Sequence, residues 1–325
     1  MLAKWHYHIE ISSKCTLACP RCARTEVPES LINTQLDLEF FTKNFTKDIL
    51  DDVEKVTFCG DDGDPIYARD LISVITYLKT YEVDITIVTN GSYKSADWWS
   101  KLAMVLGERD VIHFSMDGWD NRSNNLYRVN SDWDSIMVGF MIMCRSKAIV
   151  VRDVIAFKFN EDHIDDMISQ TKQHGADIFQ LTKSTKFGSV YPSYGDNDPL
   201  EPSSMYVSST DRFEREYTIL KRSIPQKDIK DLYDNASHDE VTPLCYVGSK
   251  GLFINSRGEF YPCCWVANRY KHNEDWQGKF DLHKSTLSQI FNDEFWEGDF
   301  KTFKWYECQT KCSSKQSSLE KASEW

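Results

Sequence analysis

The chain has 325 residues, with 50 acidic against 38 basic side chains and a net charge of −12. That length suits one large domain or a large domain with a smaller one. The acidic balance argues against a general phosphate-backbone binder, which needs a basic surface to displace counterions. No apolar run is long enough to cross a bilayer and no early segment reads as a signal peptide, so a soluble cytoplasmic protein is expected.

Short β-rich runs alternate with amphipathic helical segments from residue 5 to 183. The strands are expected at 6–12 ("HYHIEIS"), 55–60 ("KVTFCG"), 84–90 ("DITIVTN"), 111–117 ("VIHFSMD"), 151–159 ("VRDVIAFKF") and 177–183 ("DIFQLTK"). Helices are expected between them at 37–51, 68–80, 95–107, 132–147 and 162–174, most opening on an Asp, Ser or Asn cap. Six such units predict a partial or full parallel α/β barrel. The glycines and unusual polar residues fall just after the strands, where parallel α/β folds build their chemistry. Residues 184–243 read as a linker or lid, with a helix near 209–222 and tyrosines Tyr191, Tyr194 and Tyr206 that either line a substrate mouth or pack a loop. From 244, "GLFINSRGEFYP" signals a hairpin with "SRG" as its turn. No internal repeat or low-complexity tract is present, and the last dozen polar residues are expected to fray.

Ten cysteines, mostly in short-spaced groups of a long chain, point to metal or redox chemistry and away from a disulfide scaffold. Cys15, Cys19 and Cys22 form C-x3-C-x2-C directly after the first strand. Lys14, Thr16, Pro20 and Arg21 make this stretch a loop, which disfavours a chance group of core cysteines. Structural zinc wants four closed ligands and this loop offers three. Three thiolates on an iron-sulfur cluster leave one metal position open, as catalysis requires. Cys59 and Cys144 read as small buried hydrophobes.

The triplet resembles the signature of radical S-adenosylmethionine (SAM) enzymes. The resemblance implies a partial (β/α)6 TIM-type barrel whose first loop holds a [4Fe-4S] cluster through Cys15, Cys19 and Cys22, with SAM on the remaining iron. "CGDDGDP" resembles the family's Gly-Gly-Glu-Pro element, with Gly63, Asp64 and Pro65 matching and Asp62 in place of the first glycine. That element grips the SAM amino group, and the shorter Asp64 carboxylate needs a closer approach. Asn90 in "TNGS", and Ser115 and Asp117 in "FSMDG", match positions that bind the SAM ribose and carboxylate in relatives, although Asn-Gly and Asp-Gly also favour turns. Arg128 resembles an arginine that pairs with the methionyl carboxylate, a contact suited to a planar fork, with Arg122 close enough to compete. Arg21 stands where the family often has an aromatic or apolar residue, a departure expected to touch packing beside the cluster.

Cys245, Gly258, Cys263, Cys308 and Cys312 follow C-x9-15-G-x4-C, a gap, then C-x3-C. This resembles the twitch domain, a shortened SPASM domain, and implies one auxiliary [4Fe-4S] cluster held by Cys245, Cys263, Cys308 and Cys312. Cys264 is an alternative to Cys263, and zinc is an alternative to the cluster.

The expected organisation is a radical SAM barrel (1–183), a linker or lid (184–243) and a small α+β auxiliary-cluster domain (244–325). The implied activity is reductive cleavage of SAM to a 5'-deoxyadenosyl radical, which abstracts hydrogen from a small molecule or peptide for dehydrogenation, crosslinking or epimerisation. A first strand so near residue 1 tilts the expectation toward a small molecule or a partner-delivered substrate. The implied partners are SAM and a one-electron donor such as flavodoxin or ferredoxin. The alternative is a non-catalytic iron-sulfur or zinc protein serving as electron carrier or interaction module. Neither reading includes a membrane, and nucleic acid is not expected as a partner.

Overall fold

A computed structural model describes residues 5–26, 28, 31–184, 198–203, 208–213, 252–270 and 280–293. All six expected strands form: β1 (Trp5–Ile9), β2 (Val53–Phe58), β3 (Asp84–Thr89), β4 (Val111–Ser115), β5 (Ile149–Ile155) and β6 (Ile178–Thr182). They pair in chain order and in parallel. The connecting helices are α1 (Ala23–Glu26), α2 (Leu38–Asn44), α3 (Lys47–Leu50), α4 (Leu71–Lys79), α5 (Ala96–Val105), α6 (Asn121–Asn124), α7 (Trp133–Met143) and α8 (Ile164–Gln173). Side-chain caps at Asp37, Ser95 and Asp132 start α2, α5 and α7, satisfying backbone donors that a helix start leaves open.

Strand alternation decides where the core lies. On one face Ile85, Ile87, Ile112, Phe114 and Val150 are buried against helix residues such as Trp99, Ile136 and Phe140, with Phe114 5.3 Å from both Trp99 and Phe140 by ring centroids. The opposite face carries Val88, His113, Ser115, Asp153, Ile155, Gln180 and Thr182, all half-buried. Successive side chains of a strand point to opposite faces. The helices therefore cover one face, and the other is the concave interior.

The sheet has nine strands among the described residues, in the order β7 (Ser209–Arg212), β6, β5, β4, β3, β2, β1, β8 (Leu252–Ile254), β9 (Phe260–Tyr261), and it is not closed. The expected hairpin forms as β8 (Leu252–Ile254) and β9 (Phe260–Tyr261), and Gly258 takes the positive φ of 78° that its turn requires. This hairpin is followed by α9 (Cys264–Tyr270) and, further on, α10 (Leu287–Phe291). Strand β8 pairs in parallel with β1, so the C-terminal segment extends the barrel sheet directly.

The helix expected near 209–222 is corrected at its start: Ser209–Arg212 form β7, antiparallel to β6. The open edge of β6 needs partners for its backbone groups, and that tertiary demand overrides local helical pattern. Residues 214–222 of that expectation lie outside the described residues, as do Tyr191, Tyr194 and Tyr206.

Candidate metal and cofactor site

Three loops meet at the carboxyl ends of β1 to β3. The first carries the cysteine triplet. Cys22 N donates to the Cys19 carbonyl (3.1 Å), and Ala18 N reaches across to the Val129 carbonyl (3.0 Å). The three cysteines pack with Leu17, Tyr127, Phe157 and Leu200 in a small apolar cluster separate from the main core. Burial pushes the Cys15 thiol up to about 12, with the Asp64 carboxylate adding to the effect. Burial raises Cys19 as well, against the pull of the nearby Arg128. Thiols held protonated in this way release protons when they take a metal.

The second loop is set against the first at very short range. A Cβ on Gly63 would stand 2.0 Å from the Ser12 carbonyl oxygen, so only glycine permits the approach. Asp64 N then donates to the Lys14 carbonyl (2.9 Å). Arg24 Nη1 bridges the Ser13 (2.6 Å) and Asp62 (3.0 Å) carbonyls, and Glu10 Oε1 accepts from Asp62 N (2.7 Å). Pro65 opens a short turn ending at Tyr67, whose hydroxyl donates to the Ser92 carbonyl (2.9 Å) and accepts from Thr16 (2.7 Å).

The Asp64 carboxylate is turned toward the end of β3. Its Oδ1 accepts from Thr89 Oγ1 (2.8 Å) and Ile66 N (3.1 Å), and its Oδ2 from Asn90 N and Nδ2 (both 2.6 Å). Burial pushes its pKa up to about 6 while these donors oppose the rise. Asn90 Nδ2 also lies 3.6 Å from Cys15 Sγ, so Asn90 touches both the carboxylate and the cysteine loop.

Asp117, after β4, is fully buried. It accepts from Ile155 N (2.7 Å) and from Arg128 Nε (2.5 Å). Burial opposes the Arg128 charge, but Asp117, Cys19 and Tyr127 together hold its pKa above the ordinary arginine range. Of the two candidate arginines, Arg128 faces the cysteines, whereas Arg122 is exposed on α6. Ser115 is half-buried on the concave face, in register with Asp153. Cys15, Cys19, Asp64, Asn90, Asp117 and Arg128 thus form one connected neighbourhood.

No three His, Cys, Asp or Glu side chains among the described residues converge closely enough for one metal ion. Three thiols gathered around one apolar patch suit a cluster, which offers a separate iron to each cysteine.

Sequence reasoning missed several residues that shape this site. Glu10, Arg24 and Tyr67 lie outside the motifs, although the polar residue ending "HYHIE" hinted at a role at the strand end. Arg21 does more than alter packing: it forms a buried ion pair with Asp198. Cys144 is buried in the core, as expected of a small hydrophobe. Cys59 is half-buried, with its thiol raised by burial and by the nearby Asp61, Asp64, Cys264 and Glu10. Cys263 and Cys264 are half-buried against the core at the start of α9, while Cys245, Cys308 and Cys312 lie outside the described residues.

Residues 245–313 match the family model for SPASM, an iron-sulfur cluster-binding domain. The match spans Cys245, Cys263, Cys308 and Cys312. Among solved structures, the chain is similar to Streptococcus suis SuiB bound to S-adenosylmethionine, at 14% identity and TM-score 0.60, covering 93% of this chain and 69% of that one. It is similar to anSMEcpe with bound AdoMet at 16% identity and TM-score 0.56, covering 95% and 86%. It is also similar to SuiB bound to its precursor peptide SuiA, at 13% identity and TM-score 0.60, covering 93% and 68%. No curated protein matches the chain. The family model bears out the SPASM-type iron-sulfur domain expected at the C-terminal end, and the solved structures share the fold expected of the barrel.

Proposed function

We propose that this chain is a radical SAM enzyme acting on a small molecule or peptide. Cys15, Cys19 and Cys22 would hold the first [4Fe-4S] cluster, and Cys245, Cys263, Cys308 and Cys312 an auxiliary one. When bound, the first cluster supplies one electron that splits SAM to methionine and a hydrogen-abstracting 5'-deoxyadenosyl radical. The observation that carries the reading is the packing of the three cysteines together, beside Asn90, Asp117 and Arg128, at the open ends of β1 to β4.

The chain's own residues have separable tasks in this reading. Arg128, braced through Nε by Asp117, offers its fork to the methionyl carboxylate. The backbone of Gly63, Asp64 and Pro65 forms the wall facing the SAM amino group, held in place while the Asp64 side chain anchors β3. Asn90 and Ser115 supply polar contacts to the ribose. Leu17, Tyr127, Phe157 and Leu200 keep water from the thiolate side of the pocket. The SuiB structure with bound SuiA supports a peptide as one class of substrate, and the concave face of β4 to β6 is the surface for it or for a small molecule.

Anaerobic reconstitution tests the proposal. The wild-type chain should take up about eight irons and release 5'-deoxyadenosine from SAM with dithionite. Cys19→Ala should lose about half of that iron and all of that release. Retained release in Cys19→Ala, or a colourless zinc-containing protein, would refute the assignment.

A further inference from the structure

The concave face holds a titratable pair that the proposed SAM site does not use. His113 Nδ1 lies 2.9 Å from Asp153 Oδ2, and because the carboxylate accepts, the imidazole proton sits on Nδ1. The strand pattern fixes the position of the pair: His113 belongs to the half-buried face of β4, two residues below Ser115. Asp153 is in register with Ser115 on one side and Gln180 on the other. Ser115, Asp153 and Gln180 therefore form a row across three adjacent strands, spaced by about 4.8 Å per strand, with His113 beneath.

One atom of this row is unsatisfied. Asp153 Oδ1 is buried and has no hydrogen-bond partner among the described residues. An orphaned carboxylate oxygen in a protein interior is costly, so such atoms call for a functional explanation. The opposite faces of the same strands are sealed under helices, with Phe114, Arg152 and Phe179 nearly inaccessible, whereas Ser115, Asp153 and Gln180 are only half-buried. The concave side is therefore the less covered approach to the pair. The row contains an acceptor, a hydroxyl, a neutral amide and an imidazole, and no arginine or lysine to attract an anion.

We propose that the His113–Asp153 pair is a substrate-orienting subsite that receives a neutral hydrogen-bond donor, a hydroxyl or an amide N–H, on Asp153 Oδ1. Gln180 flanks the same group, with Ser115 on the side of the SAM site. This rests on the reading that the concave face receives substrate. The pair orients substrate for the radical and takes no part in splitting SAM.

The test uses the reconstituted, SAM-loaded full chain with isotope-labelled histidine, and His113→Gln identifies the His113 ring resonances. Three probes are titrated to high millimolar concentration: myo-inositol for hydroxyl donors, N-acetylalanine amide for amide donors, and acetate as an anionic control. The expected result is a saturable His113 shift with at least one neutral probe, the responding probe naming the donor type, and none with acetate. Asp153→Asn should weaken that binding by at least about tenfold, the loss expected on removing a hydrogen bond to a charged group. Should Asp153→Asn fail to fold, saturation transfer to the same probe in wild type against His113→Gln reads the subsite without it. Silence with both neutral probes, an equal response to acetate, or undiminished binding in these variants overturns the proposal. 5'-Deoxyadenosine release by the same wild-type preparation separates the two readings. Its absence beside an intact His113 response removes the radical function alone, and its presence beside a silent His113 removes the subsite alone.

Discussion

Glu10 shows how a single buried carboxyl links three parts of the molecule. Its side chain accepts from Asp62 N (2.7 Å) in the second loop and from Ser256 N (3.4 Å) in the C-terminal hairpin, with only 3% of its surface exposed. Burial pushes its pKa up to about 7, helped by Asp62 and Asp61 and opposed by the hydrogen bond from Asp62. A carboxyl raised in the folded state binds its proton more tightly there than in the unfolded chain. Stability therefore falls as pH rises from the ordinary glutamate range to about 7, and the full cost, about 3 kcal/mol, is present above that. Glu10→Gln removes the charge and keeps an acceptor for Asp62. Its stability to urea should exceed wild type at about pH 8 and approach it near pH 5, and an equal difference at both values would count against the burial argument.

At the scale of elements, the fit of one loop into another decides whether the cysteines are presented correctly. Gly63→Ala would force a methyl into the Ser12 and Ser13 backbone, which cannot swing aside as a side chain would. We expect a loss of roughly 2 kcal/mol together with weakened iron uptake, measured by unfolding and iron content. Gly107→Ala is the control: its nearest atom would be Asp110 Oδ2 at an ordinary 3.6 Å, and its effect should stay within about 0.5 kcal/mol. The same scale separates what the sequence made legible from what it hid. The six parallel strands were readable because apolar runs and capped helices alternate locally, and the meeting of the triplet with Asn90, Asp117 and Arg128 because motifs keep their order after successive strands. The hairpin was readable from "SRG", but its pairing with β1 was not, because β1 and β8 are joined across more than two hundred residues and no local pattern encodes a partner that distant. Strand β7 was hidden for the same reason. The His113–Asp153 pair left a weaker trace: "VIHFS" and "VRDVI" each place polar residues among apolar ones, yet only the strand register shows that the two meet.

Across the whole molecule, the Arg21–Asp198 pair ties a distant segment to the cysteine loop. Arg21 lies between Cys19 and Cys22, and both charged side chains are sealed from solvent. Asp198 also accepts from Leu200 N (3.0 Å), and Leu200 packs with Cys19, Tyr127 and Phe157 while its carbonyl accepts from Lys158 N (3.1 Å). The pair thus presses residues 198–203 onto the site from the far side of the barrel. Buried ion pairs often contribute little over an apolar replacement, but removing one partner strands the other charge away from water. Asp198→Asn keeps an acceptor for Leu200 and removes the carboxylate that faces the buried Arg21 guanidinium, so a loss of about 3 to 5 kcal/mol is expected. The double replacement Arg21→Met with Asp198→Asn should recover most of that loss, because the buried charge is gone. Equilibrium unfolding of the single and double variants reads the difference directly. If the double variant is as unstable as Asp198→Asn, the pair matters for shape and not for charge.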